Sequence, residues 1–591
     1  MNQEAKQCQN CKQDFVIEPD DFAFYEKIKV PPPTFCPECR LKRRLMWRNE
    51  LSFYRRKCDA PGHDEQFISY FHPDTELTIF DYKYWWSGDW DPLDYGMDYA
   101  WDRPFFDQFR ELISNVPWYN LRIVDSINCE YSEAFHSKNC YLGSVYGSED
   151  CLYADVGFSK NSVDINQSLS LENCYECSYD NKNFKVFFSD HTLNSLESNF
   201  LSSCNNLQHC SFCVNLKNKK HHFFNVPYTK EEYEKKLKEL DLGSFASLER
   251  LKKEFLEFKL KFPHKYSRNI NTVDSLGDGL KNAKNCFYCF NAADDVENCK
   301  YVLGGGVGLR NSYDTSNCGV HSESFYEMLG SGENGNNNQF SVNVLTSHSV
   351  RYSIECHGSS NLFGCFGLKN KKYCILNKQY SKEEYEMLIP EIIKNMNDMP
   401  YADKKGRIYK YGEFFPIEIS PFAYNETITQ RHFPLVKEEA EALGYEWRDT
   451  DIKQYSITKY RKDLPDHIKD TGDDVLKEII GCSHEGNCVY QCATAFRIIP
   501  EELSFYRRMN ISLPELCSNC RYYERLKNQN PAMLWHRACQ CSGQKSENGV
   551  YQNTGKHQHG EGQCPNEFET SYSPERKEIV YCESCYNAEV V

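Results

Sequence analysis

The chain has 591 residues, 30 cysteines, a formal net charge of −16 and an aromatic content of 14%. One hydrophobic core rarely serves so long a chain, so we expect several domains, and the aromatic content excludes a disordered protein. A net polyanion is not a general nucleic-acid binder, so any such contact has to come from a local basic patch.

Six stretches of distinct composition follow one another along the chain. They are a cysteine-rich module at 1–58, an acidic and aromatic stretch at 59–125, two halves of an internal repeat at 126–262 and 263–400, a connecting segment at 401–480 and a second cysteine-rich module at 481–591. Adding 481 to residue numbers of the first module gives matching residues in the second, from Cys11 on Cys492 to Cys58 on Cys539. The two ends of the chain therefore carry the same module.

The first module contains two C-x2-C pairs, Cys8 with Cys11 and Cys36 with Cys39. Four thiolates complete the tetrahedral shell of a structural zinc ion. The helix-forming segment RLKRRLMWRN follows Cys39, so we expect this cysteine at a helix amino terminus, where backbone amides favour the thiolate. The stretch FYEKIKVPPPTFCPECRLKRR resembles the zinc-ribbon domains of uncharacterised bacterial proteins, and a cysteine knuckle followed by a helix resembles a treble-clef finger. The resemblance covers the two ends of the chain and implies zinc binding.

The acidic and aromatic stretch has a counterpart near the carboxyl terminus. Adding 501 places three of its residues on cysteines: His63 on Cys564, Asp81 on Cys582 and Tyr84 on Cys585. Tyrosine is a poor zinc ligand beside thiolate. We therefore predict a ribbon that has lost its metal, in which Trp85 and Trp86 pack instead.

A short motif, Asn or Asp followed by a small residue, recurs through the central region at steps of 11 to 13 residues. It begins at Asn139, Asp150, Asn161 and Asn173 in the first half, and at Asn285, Asn298 and Asn311 in the second. Short strands at fixed spacing predict a parallel β-solenoid, and two steps predict a coil of ~22 residues. Asn and Asp tolerate a left-handed corner, and the neighbouring Cys or Ser is expected to stack inward.

Each half ends in the same motif, NKK-x4-N-x2-Y-x-KEEYE, and the two copies are offset by 152 residues. Thr229 and Ser381 precede Glu232 and Glu384 by three residues, the spacing of a helix capping box. A charged, amphipathic helix is therefore predicted after each half. The expected fold class is mixed and mainly β: a parallel β-solenoid in two halves with interspersed amphipathic helices, flanked by treble-clef and zinc-ribbon modules.

The carboxyl-terminal module offers two further zinc sites. The predicted ligands of the first are Cys488, Cys492, Cys517 and Cys520, and those of the second are Cys541, Cys564, Cys582 and Cys585. Cys482 and His484 compete for the first site, and Cys539 or His559 can substitute in the second. Together with the amino-terminal site, these ligands predict about three zinc ions per chain.

Basic residues far outnumber acidic ones between Glu26 and Lys57. Arginine beside aromatic rings can hold phosphate and stack on unpaired bases, so one interpretation is a nucleic-acid contact. The other interpretation is a helix face that pairs with carboxylates or binds a protein. The candidate nucleic-acid residues are Arg40, Arg43, Arg44, Arg48, Arg55 and Arg56.

The remaining motifs favour no catalytic chemistry. No G-x-S-x-G, H-E-x-x-H or Walker sequence is present, and the run Gly304–Gly308 lacks the GK[ST] ending of a phosphate loop. Asp274, Asp278, Asp294 and Asp295 keep a β-helix carbohydrate-active enzyme open as an alternative, provided that they cluster. The solenoid cysteines keep thiol redox chemistry or metal storage open, although small buried thiols are expected there.

We therefore expect a zinc-binding scaffold without catalytic activity that contacts RNA, a ribonucleoprotein or a protein partner. The whole pattern resembles uncharacterised bacterial proteins with zinc ribbons and cysteine-rich repeats, and this resemblance implies no activity. The sequence shows no export signal and no apolar run of membrane-spanning length. C-x2-C pairs in such a chain are expected to be metal ligands in the cytoplasm.

Overall fold

The computed structural model describes residues 2–50, 52–449, 455–542, 552–560 and 562–590. The chain forms two compact units, each assembled from separate stretches. Unit 1 contains Met1–Asn120, Ser267–Asp449 and Ala532–Leu534, and unit 2 contains Leu121–Tyr266, Thr450–Pro531 and Trp535–Val591. The amino-terminal module therefore shares a unit with the second half of the repeat, and the carboxyl-terminal module shares one with the first half. The predicted connecting segment at 401–480 is divided between the two units.

Twelve α-helices lie within these residues. They are α1 Pro19–Lys27, α2 Pro37–Leu45, α3 Tyr82–Ser87, α4 Phe105–Asn115, α5 Lys230–Glu239, α6 Phe245–Lys259, α7 Lys382–Asp398, α8 Ile428–His432, α9 Lys437–Ala442, α10 Pro500–Met509, α11 Ser518–Leu526 and α12 Glu583–Val590. The predicted capping boxes are present at α5 and α7, where Thr229 and Ser381 accept hydrogen bonds from the N–H groups of Glu232 and Glu384. No helix in the described part of the chain is long and apolar enough to cross a bilayer.

The strands are short, and most belong to two long parallel sheets. The strands before the first of these sheets are β1 Glu4–Gln7, β2 Asp14–Ile17, β3 Tyr54–Lys57, β4 Gln66–Ser69, β5 Ile79–Phe80 and β6 Trp118–Tyr119. The first sheet consists of β7 Ile123–Val124, β8 Glu133–Phe135, β9 Ser144–Tyr146, β10 Leu152–Gly157, β11 Val163–Leu169, β12 Tyr175–Ser178, β13 Phe184–Asp190, β14 Leu196–Ser202, β15 Ser211–Val214, β16 His222–Phe223 and β17 Val226–Pro227.

The second sheet follows β18 Pro263–Lys265. It consists of β19 Leu276–Asp278, β20 Lys284–Asp294, β21 Glu297–Lys300, β22 Leu303–Val307, β23 Tyr313–Cys318, β24 Tyr326–Leu329, β25 Gln339–Val342, β26 His348–Arg351, β27 Ser360–Phe363, β28 Lys372–Ile375 and β29 Lys378–Gln379. The remaining strands are β30 Tyr401–Ala402, β31 Ile408–Tyr409, β32 Ile480–Gly481, β33 Ala495–Phe496, β34 Trp535–Ala538, β35 Glu567–Thr570 and β36 Ile579–Tyr581.

Each long sheet is one side of a parallel β-solenoid, which confirms the predicted fold class. β7 to β17 are hydrogen-bonded in chain order, and β19 to β29 follow the same order except that β22 lies beside β20 and β23. One small core lies inside the coils of each solenoid and is built largely of Cys, Ala, Val and Leu side chains. The strands stay parallel until the last pair of each sheet, which is antiparallel.

The coils are half as long as the sequence predicts. Glu133 pairs with Ser144, Val163 with Tyr175 and Tyr313 with Tyr326, so each step of 11 to 13 residues is one complete coil. The backbone turns into the left-handed region at every third residue, with φ values of 55°, 47° and 56° at Asn173, Glu176 and Tyr179. A coil therefore has short sides of three residues, and the predicted coil of ~22 residues is wrong because one step already closes the path.

Stacked corner residues help to offset the cost of these left-handed positions, about 1–2 kcal/mol each for a residue other than glycine. Phe188, Phe200, Phe212 and Phe224 occupy equivalent corners in successive coils of unit 2. Their ring centroids are 4.7, 4.5 and 4.5 Å apart from one coil to the next, and their planes are nearly parallel. Phe255 on α6 packs edge-on against this stack.

A tight hairpin closes each solenoid and explains why both copies of the NKK-x4-N motif have the same spacing. The two residues between β28 and β29, Leu376 and Asn377, have φ values of 45° and 60°, as a two-residue type I′ turn requires. The Asn377 side chain accepts a hydrogen bond from Phe366 N–H and donates one to Phe366 C=O, both at 2.8 Å. Asn225 makes the same pair of bonds to Val214 in unit 2. The side-chain amide of each Asn thus makes the backbone hydrogen bonds that a further strand would make.

Candidate metal centres

The amino-terminal module brings its four predicted ligands together. The hairpin of β1 and β2 carries Cys8 and Cys11, and α2 begins directly after Cys36 and contains Cys39. The four sulfur atoms lie within 4.8 Å of one another, and Cys11 Sγ is 3.7 Å from Cys36 Sγ. Metal–sulfur bonds of ~2.3 Å place the edge of a tetrahedron at about 3.8 Å. The group can therefore hold one metal ion.

Hydrogen bonds within this group favour the thiolate form of Cys8, whereas the pKa values of Cys36 and Cys39 are raised. Donors on Cys36 and Cys39 hold the pKa of the Cys8 thiol well below its usual range. The backbone N–H of Cys36 donates to Cys8 Sγ at 3.2 Å, and the side-chain amide of Asn10 donates to Cys39 Sγ at 3.2 Å. Metal binding requires deprotonated cysteines, so these donors suit a bound cation.

The structure replaces one predicted ligand at the start of the carboxyl-terminal module. Three of the predicted ligands, Cys492, Cys517 and Cys520, group with Cys482 and not with Cys488. Cys482 directly follows β32, as the first ligand of the amino-terminal site directly follows β1. Its Sγ accepts a hydrogen bond from Cys517 N–H at 3.3 Å, the counterpart of the bond in the first module. Cys488 is therefore corrected to Cys482, because the ligand position lies at the end of the strand and the following loop is longer here.

Cys488 belongs to a smaller group with His484 and Cys520. Its Sγ is 3.7 Å from Cys520 Sγ, and both Cys488 and His484 are partly exposed. Three donors do not complete a tetrahedral shell. The structure therefore places Cys488 beside the four-thiolate group and not in it.

A third four-thiolate group also differs by one ligand from the prediction. Cys564, Cys582 and Cys585 group with Cys539 and not with Cys541. Cys539 directly follows β34, and its Sγ accepts a hydrogen bond from Cys582 N–H at 3.2 Å. Hydrogen bonding by Cys539 lowers the pKa of Cys582 to about 3. The ligand again lies at the end of a strand, as in the two other sites.

Cys541 lies in a neighbouring group with His557, His559 and Cys585. Sequence reasoning named His559 as a substitute ligand and missed His557. The His-x-His spacing in the segment KHQHG is the signal that could have found it. The described residues thus contain three complete four-thiolate groups, each able to hold a metal ion, and a further group of two sulfur and two nitrogen donors.

The amino-terminal counterpart of the third site keeps the strand and the backbone hydrogen bond of that site without its donor set. Cys58 directly follows β3, and its Sγ accepts a hydrogen bond from Asp81 N–H at 3.3 Å. The ring of His63 packs edge-on against Tyr84, with centroids 4.8 Å apart. Trp85 is fully buried and donates its indole N–H to a carbonyl at 2.9 Å, whereas Trp86 is 41% exposed. Aromatic packing around Trp85 occupies this ribbon.

Three arginines of α2 dock the amino-terminal module on the solenoid of unit 1. Arg40, Arg43 and Arg44 are at most 1% exposed. Arg40 Nη2 is 2.9 Å from Asp314 Oδ2, and Arg44 Nη1 is 3.0 Å from Asp314 Oδ1. Arg43 Nη2 is 2.7 Å from Glu327 Oε1. Asp314 lies on β23 and Glu327 on β24, so the helix that contains Cys39 packs against the middle of the solenoid and does not cap its end.

Unit 2 repeats this docking with the matching arginines of α11. Arg521 Nε is 2.8 Å from Asp164 Oδ2, and Arg525 Nη1 is 2.9 Å from Asp164 Oδ1. Asp164 and Asp314 are both left-handed corner residues, with φ values of 58° and 52°. The arginines shared by the two ends of the chain therefore dock a helix on a corner carboxylate.

These ion pairs correct the nucleic-acid interpretation for α2. Buried guanidinium groups that already pair with carboxylates offer nothing to a phosphate. Of the other candidates, Arg56 is buried and pairs with Asp59 at 2.7 Å, and Arg48 pairs with Glu50. Arg55 is the one exposed member of the predicted set. No basic patch of the predicted size remains at these positions.

The solenoid cysteines take part in the same interior ladder as serines. Cys174 Sγ donates to the Glu172 carbonyl at 3.5 Å, and Cys174 N–H donates to Ser162 Oγ at 3.1 Å. Ser162, one coil earlier, donates to the Lys160 carbonyl at 2.8 Å. Burial raises the pKa of another ladder thiol, Cys204, to about 12. No group of three metal donors occurs among the described residues of the coils, so these thiols fill the interior.

The carboxylates considered for a carbohydrate-active enzyme are paired with cations rather than with one another. Asp278 lies 2.8 Å from Arg268, Asp294 lies 2.6 Å from Lys281 and Asp295 lies 2.7 Å from Arg310. Asp274 is exposed at a corner. A glycosidase needs two carboxyl groups facing one bond of the substrate, and these residues do not provide that arrangement.

A groove of ≈ 1060 Å³ lies in unit 1 beside the docked module. Aromatic side chains dominate its wall: Phe287 and Tyr288 are 40% and 44% exposed, and Tyr288 stacks on Tyr301 with centroids 5.6 Å apart. Its charged lining includes the carboxylates of Glu18, Asp20 and Glu38, whereas its lysine, Lys300, pairs with Asp21 at 2.7 Å. The groove is therefore apolar with an acidic rim.

Comparison with known proteins does not assign this chain to a family. No family model and no curated protein matches this chain. Among solved structures, that of a candidate acetyltransferase from Desulfovibrio desulfuricans G20 is similar over 40% of this chain, at 11% identity and a TM-score of 0.10. The similarity spans 58% of the length of that protein. A TM-score this low carries no argument about fold or activity.

Proposed function

We propose that this protein is a non-catalytic zinc scaffold that presents its solenoid surface to a protein partner. The observation that carries the proposal is the coupling of each four-thiolate module to a solenoid. In each unit the helix that begins directly after one of the four cysteines and contains another also bears arginines buried on a solenoid carboxylate. A metal that fixes this helix fixes the docked face as well.

Zinc is the metal that the donor set favours. Four thiolates at tetrahedral spacing suit zinc, which needs no redox partner and forms closed structural sites. A hairpin that carries two ligands, followed by a helix that begins after the third and contains the fourth, supports the treble-clef interpretation. A closed shell leaves no position for a substrate, which supports a structural role. The C-x2-C pairs and the solenoid cysteines, which form no disulfides, also suit the reducing cytoplasm.

The chemistry of the groove in unit 1 favours a protein partner over RNA. Exposed Phe287 and Tyr288 provide apolar contact area, and an acidic rim repels phosphate and attracts Lys or Arg side chains. The whole chain has a net charge of −16, which adds to this repulsion. The proposed partner therefore presents a segment that combines apolar and basic side chains.

Metal content of the purified full chain tests the zinc proposal. We expect the Cys39→Ala variant to hold one zinc ion fewer than the wild-type chain, because it removes a ligand of the first four-thiolate group. Cys174→Ala is the matched control, since it removes a buried thiol of the solenoid and should leave the zinc content unchanged. Mass spectrometry of the metals measures both.

Three results would contradict this proposal. Wild-type protein without zinc would contradict the proposed structural zinc sites. Equal zinc content in Cys39→Ala and wild type would contradict the first of these sites. A lower zinc content in Cys174→Ala would indicate that the solenoid cysteines bind metal, as a metal-storage protein requires.

Binding assays with two probes test the choice of partner. A fluorescent single-stranded oligoribonucleotide is expected to show no salt-sensitive binding, since the arginines of α2 and α11 are buried. Displayed peptides rich in Lys, Arg and aromatic residues are expected to bind, and the Phe287→Glu variant to lose that binding at least tenfold. Salt-sensitive RNA binding, or peptide binding that is unaffected by Phe287→Glu, would overturn the assignment of the groove.

A further inference from the structure

A second donor group adjoins the third four-thiolate site in unit 2. Cys541 and Cys585 contribute sulfur atoms, and His557 and His559 contribute ring nitrogens. All four donor atoms lie within 4.8 Å of one another, and all but His559 are buried residues. Such convergence of thiol and imidazole in a protein interior is typical of a metal site.

The separations of these atoms match a tetrahedral shell. Cys541 Sγ is 3.2 Å from His557 Nδ1 and 3.6 Å from His559 Nε2, and Cys585 Sγ is 3.3 Å from His559 Nε2. Bonds of ~2.3 Å to sulfur and ~2.0 Å to nitrogen place a sulfur–nitrogen edge at about 3.5 Å. One metal ion fits between these four atoms without a change of fold.

A buried carboxylate orients one of the imidazoles. His557 Nε2 lies 2.6 Å from Glu589 Oε1, and both side chains are at most 2% exposed. The Nε2 proton is therefore donated to Glu589, and the lone pair of Nδ1 points towards Cys541. Hydrogen bonds from Thr554 and Gly555 N–H hold the carboxylate in place. A carboxylate behind a ligating histidine is the usual outer partner of a protein metal site.

Cys585 belongs to both donor groups in this part of the chain. We propose that unit 2 holds a two-metal cluster in which the Cys585 thiolate bridges one zinc ion bound by Cys539, Cys564 and Cys582 and a second bound by Cys541, His557 and His559. The second ion is a thiolate- and imidazole-binding divalent cation, for which zinc is the natural choice.

The formal charge of the cluster favours two ions over one. The five cysteines of the two groups are all at most 6% exposed. The four thiolates of the third site carry a formal charge of −2 with one dication, and a second dication bound with the Cys541 thiolate brings the cluster to −1. Burying excess charge without a partner costs several kcal/mol per ion, so the second cation stabilises the ionised cluster.

Metal counting on the full chain tests the second ion. The double variant His557→Ala, His559→Ala is expected to hold one zinc ion fewer than wild type, and Glu589→Gln to release one zinc ion to a chelator 10- to 100-fold more readily. His536→Ala is the matched control, because this histidine lies on β34 of the same module and is 62% exposed. It should leave the count unchanged. Equal counts in the double variant and wild type would overturn the second ion.

Cadmium-113 NMR of the wild-type chain tests the shared thiolate without any substitution. Two cadmium resonances that are coupled to each other through one sulfur atom are expected, and their absence in the fully loaded chain would overturn the bridge. This measurement also decides the case in which the double variant unfolds and loses both ions. The inference rests on the proposed zinc scaffold for the neighbouring ion only. Wild-type protein without metal would overturn both proposals, whereas equal nonzero counts would overturn this one alone.

Discussion

Asp164 and Asp314 each receive two guanidinium groups at a corner of a solenoid. The corner geometry turns the side chain outward from a left-handed backbone position, towards the docked helix. Since Asn and Asp are the residues other than glycine that best tolerate this backbone, the same residue type satisfies the coil and the docking contact. A corner carboxylate thus helps to link the repeat to the module in each unit.

Asp314→Asn tests this link in unit 1. The substitution keeps the shape of the side chain and removes the charge that Arg40 and Arg44 share. Removing one partner of a buried ion pair costs about 3–5 kcal/mol, and we expect about 3 because Glu327 still contacts Arg44. Urea unfolding of the full chain measures the loss in the transition that the variant shifts.

Asp295→Asn is the control for this experiment. Asp295 pairs with Arg310 but is 61% exposed, so its loss should cost less than about 1 kcal/mol. Equal destabilisation by the two variants would show that the α2 docking contacts are not special.

Asp180 predicts a pH dependence of stability in unit 2. Burial raises the pKa of Asp180 to about 7, although hydrogen bonds from Ser189 and from Thr192 N–H act in the opposite direction. An aspartate in the unfolded chain titrates near ~4, so the protonated form is favoured in the folded state. Its stabilising contribution is therefore full below roughly pH 4 and is lost as the pH rises through 7.

Thermal unfolding of wild type and Asp180→Asn across this pH range measures the effect. The stability of wild type relative to the variant should fall with rising pH, by at most on the order of 4 kcal/mol. Comparison at matched pH cancels the titration of other groups. A constant difference between the two proteins would mean that Asp180 is not held protonated.

At the scale of the element, each solenoid depends on how its last coil is closed. A parallel sheet that ends in open N–H and C=O groups invites pairing with another chain. The type I′ hairpin turns the final strand back, and the amide of Asn377 or Asn225 satisfies the neighbouring backbone. The capped helix α5 or α7 then follows directly. The NKK-x4-N-x2-Y-x-KEEYE repeat encodes this closure.

Asn377→Gly and Asn377→Ala separate the two roles of this residue. Glycine keeps the left-handed conformation and loses the three side-chain hydrogen bonds to Phe366 and Pro92, at about 1 kcal/mol each. Alanine loses the same bonds and adds about 1–2 kcal/mol of backbone strain. Denaturant unfolding should therefore rank wild type, Asn377→Gly and Asn377→Ala in decreasing stability.

A corner within the coils provides the comparison for Asn377. Asn361 has a φ of 56°, and Asn361→Gly is expected to cost about 1 kcal/mol or less. If Asn377→Gly were equally mild, the closing role of the amide would be refuted.

The spacing of sequence motifs predicted the local backbone conformation at the corners well, but it predicted the length of a coil and one metal ligand poorly. The Asn and Asp motif gave the solenoid and its left-handed corners at Asn139 and Asn173. It could not predict the coil length, because the intermediate corners are occupied by Phe, Tyr, Lys and Glu. These residue types do not identify a corner in the sequence. The ungapped repeat gave Cys492 and Cys517 but not Cys482. That ligand is set by the end of β32, and the loop behind it is longer than in the first module.

At the scale of the whole chain, the metal sites and the solenoids form one system in each unit. The helix that follows the second cysteine pair is short, nine residues in both α2 and α11, and carries several charges. Such a helix is marginal in isolation. The helix therefore needs both its cysteine ligands and its buried arginine contacts to stay folded.

Chelation of the metal should release both helices. We expect trypsin to cleave the metal-free, reduced chain after Arg40, Arg43, Arg44, Arg521 and Arg525, where wild type with metal is protected by burial. The solenoid strands should stay protected under the same conditions. Mass spectrometry of the fragments identifies the sites, and added zinc should restore protection. An unchanged cleavage pattern after complete metal removal would show that the modules dock without the metal.

The two docking contacts become possible at different stages of synthesis, because the chain is made from its amino terminus. Arg44 and Asp314 are separated by 270 residues, so the amino-terminal module leaves the ribosome long before its carboxylate exists. At ~5–20 residues per second, that interval lasts roughly 14–54 s. During it, the arginines of α2 lack the Asp314 and Glu327 carboxylates with which they pair in the folded chain. The carboxyl-terminal module has no such wait, because Asp164 has already been synthesised when Arg521 emerges.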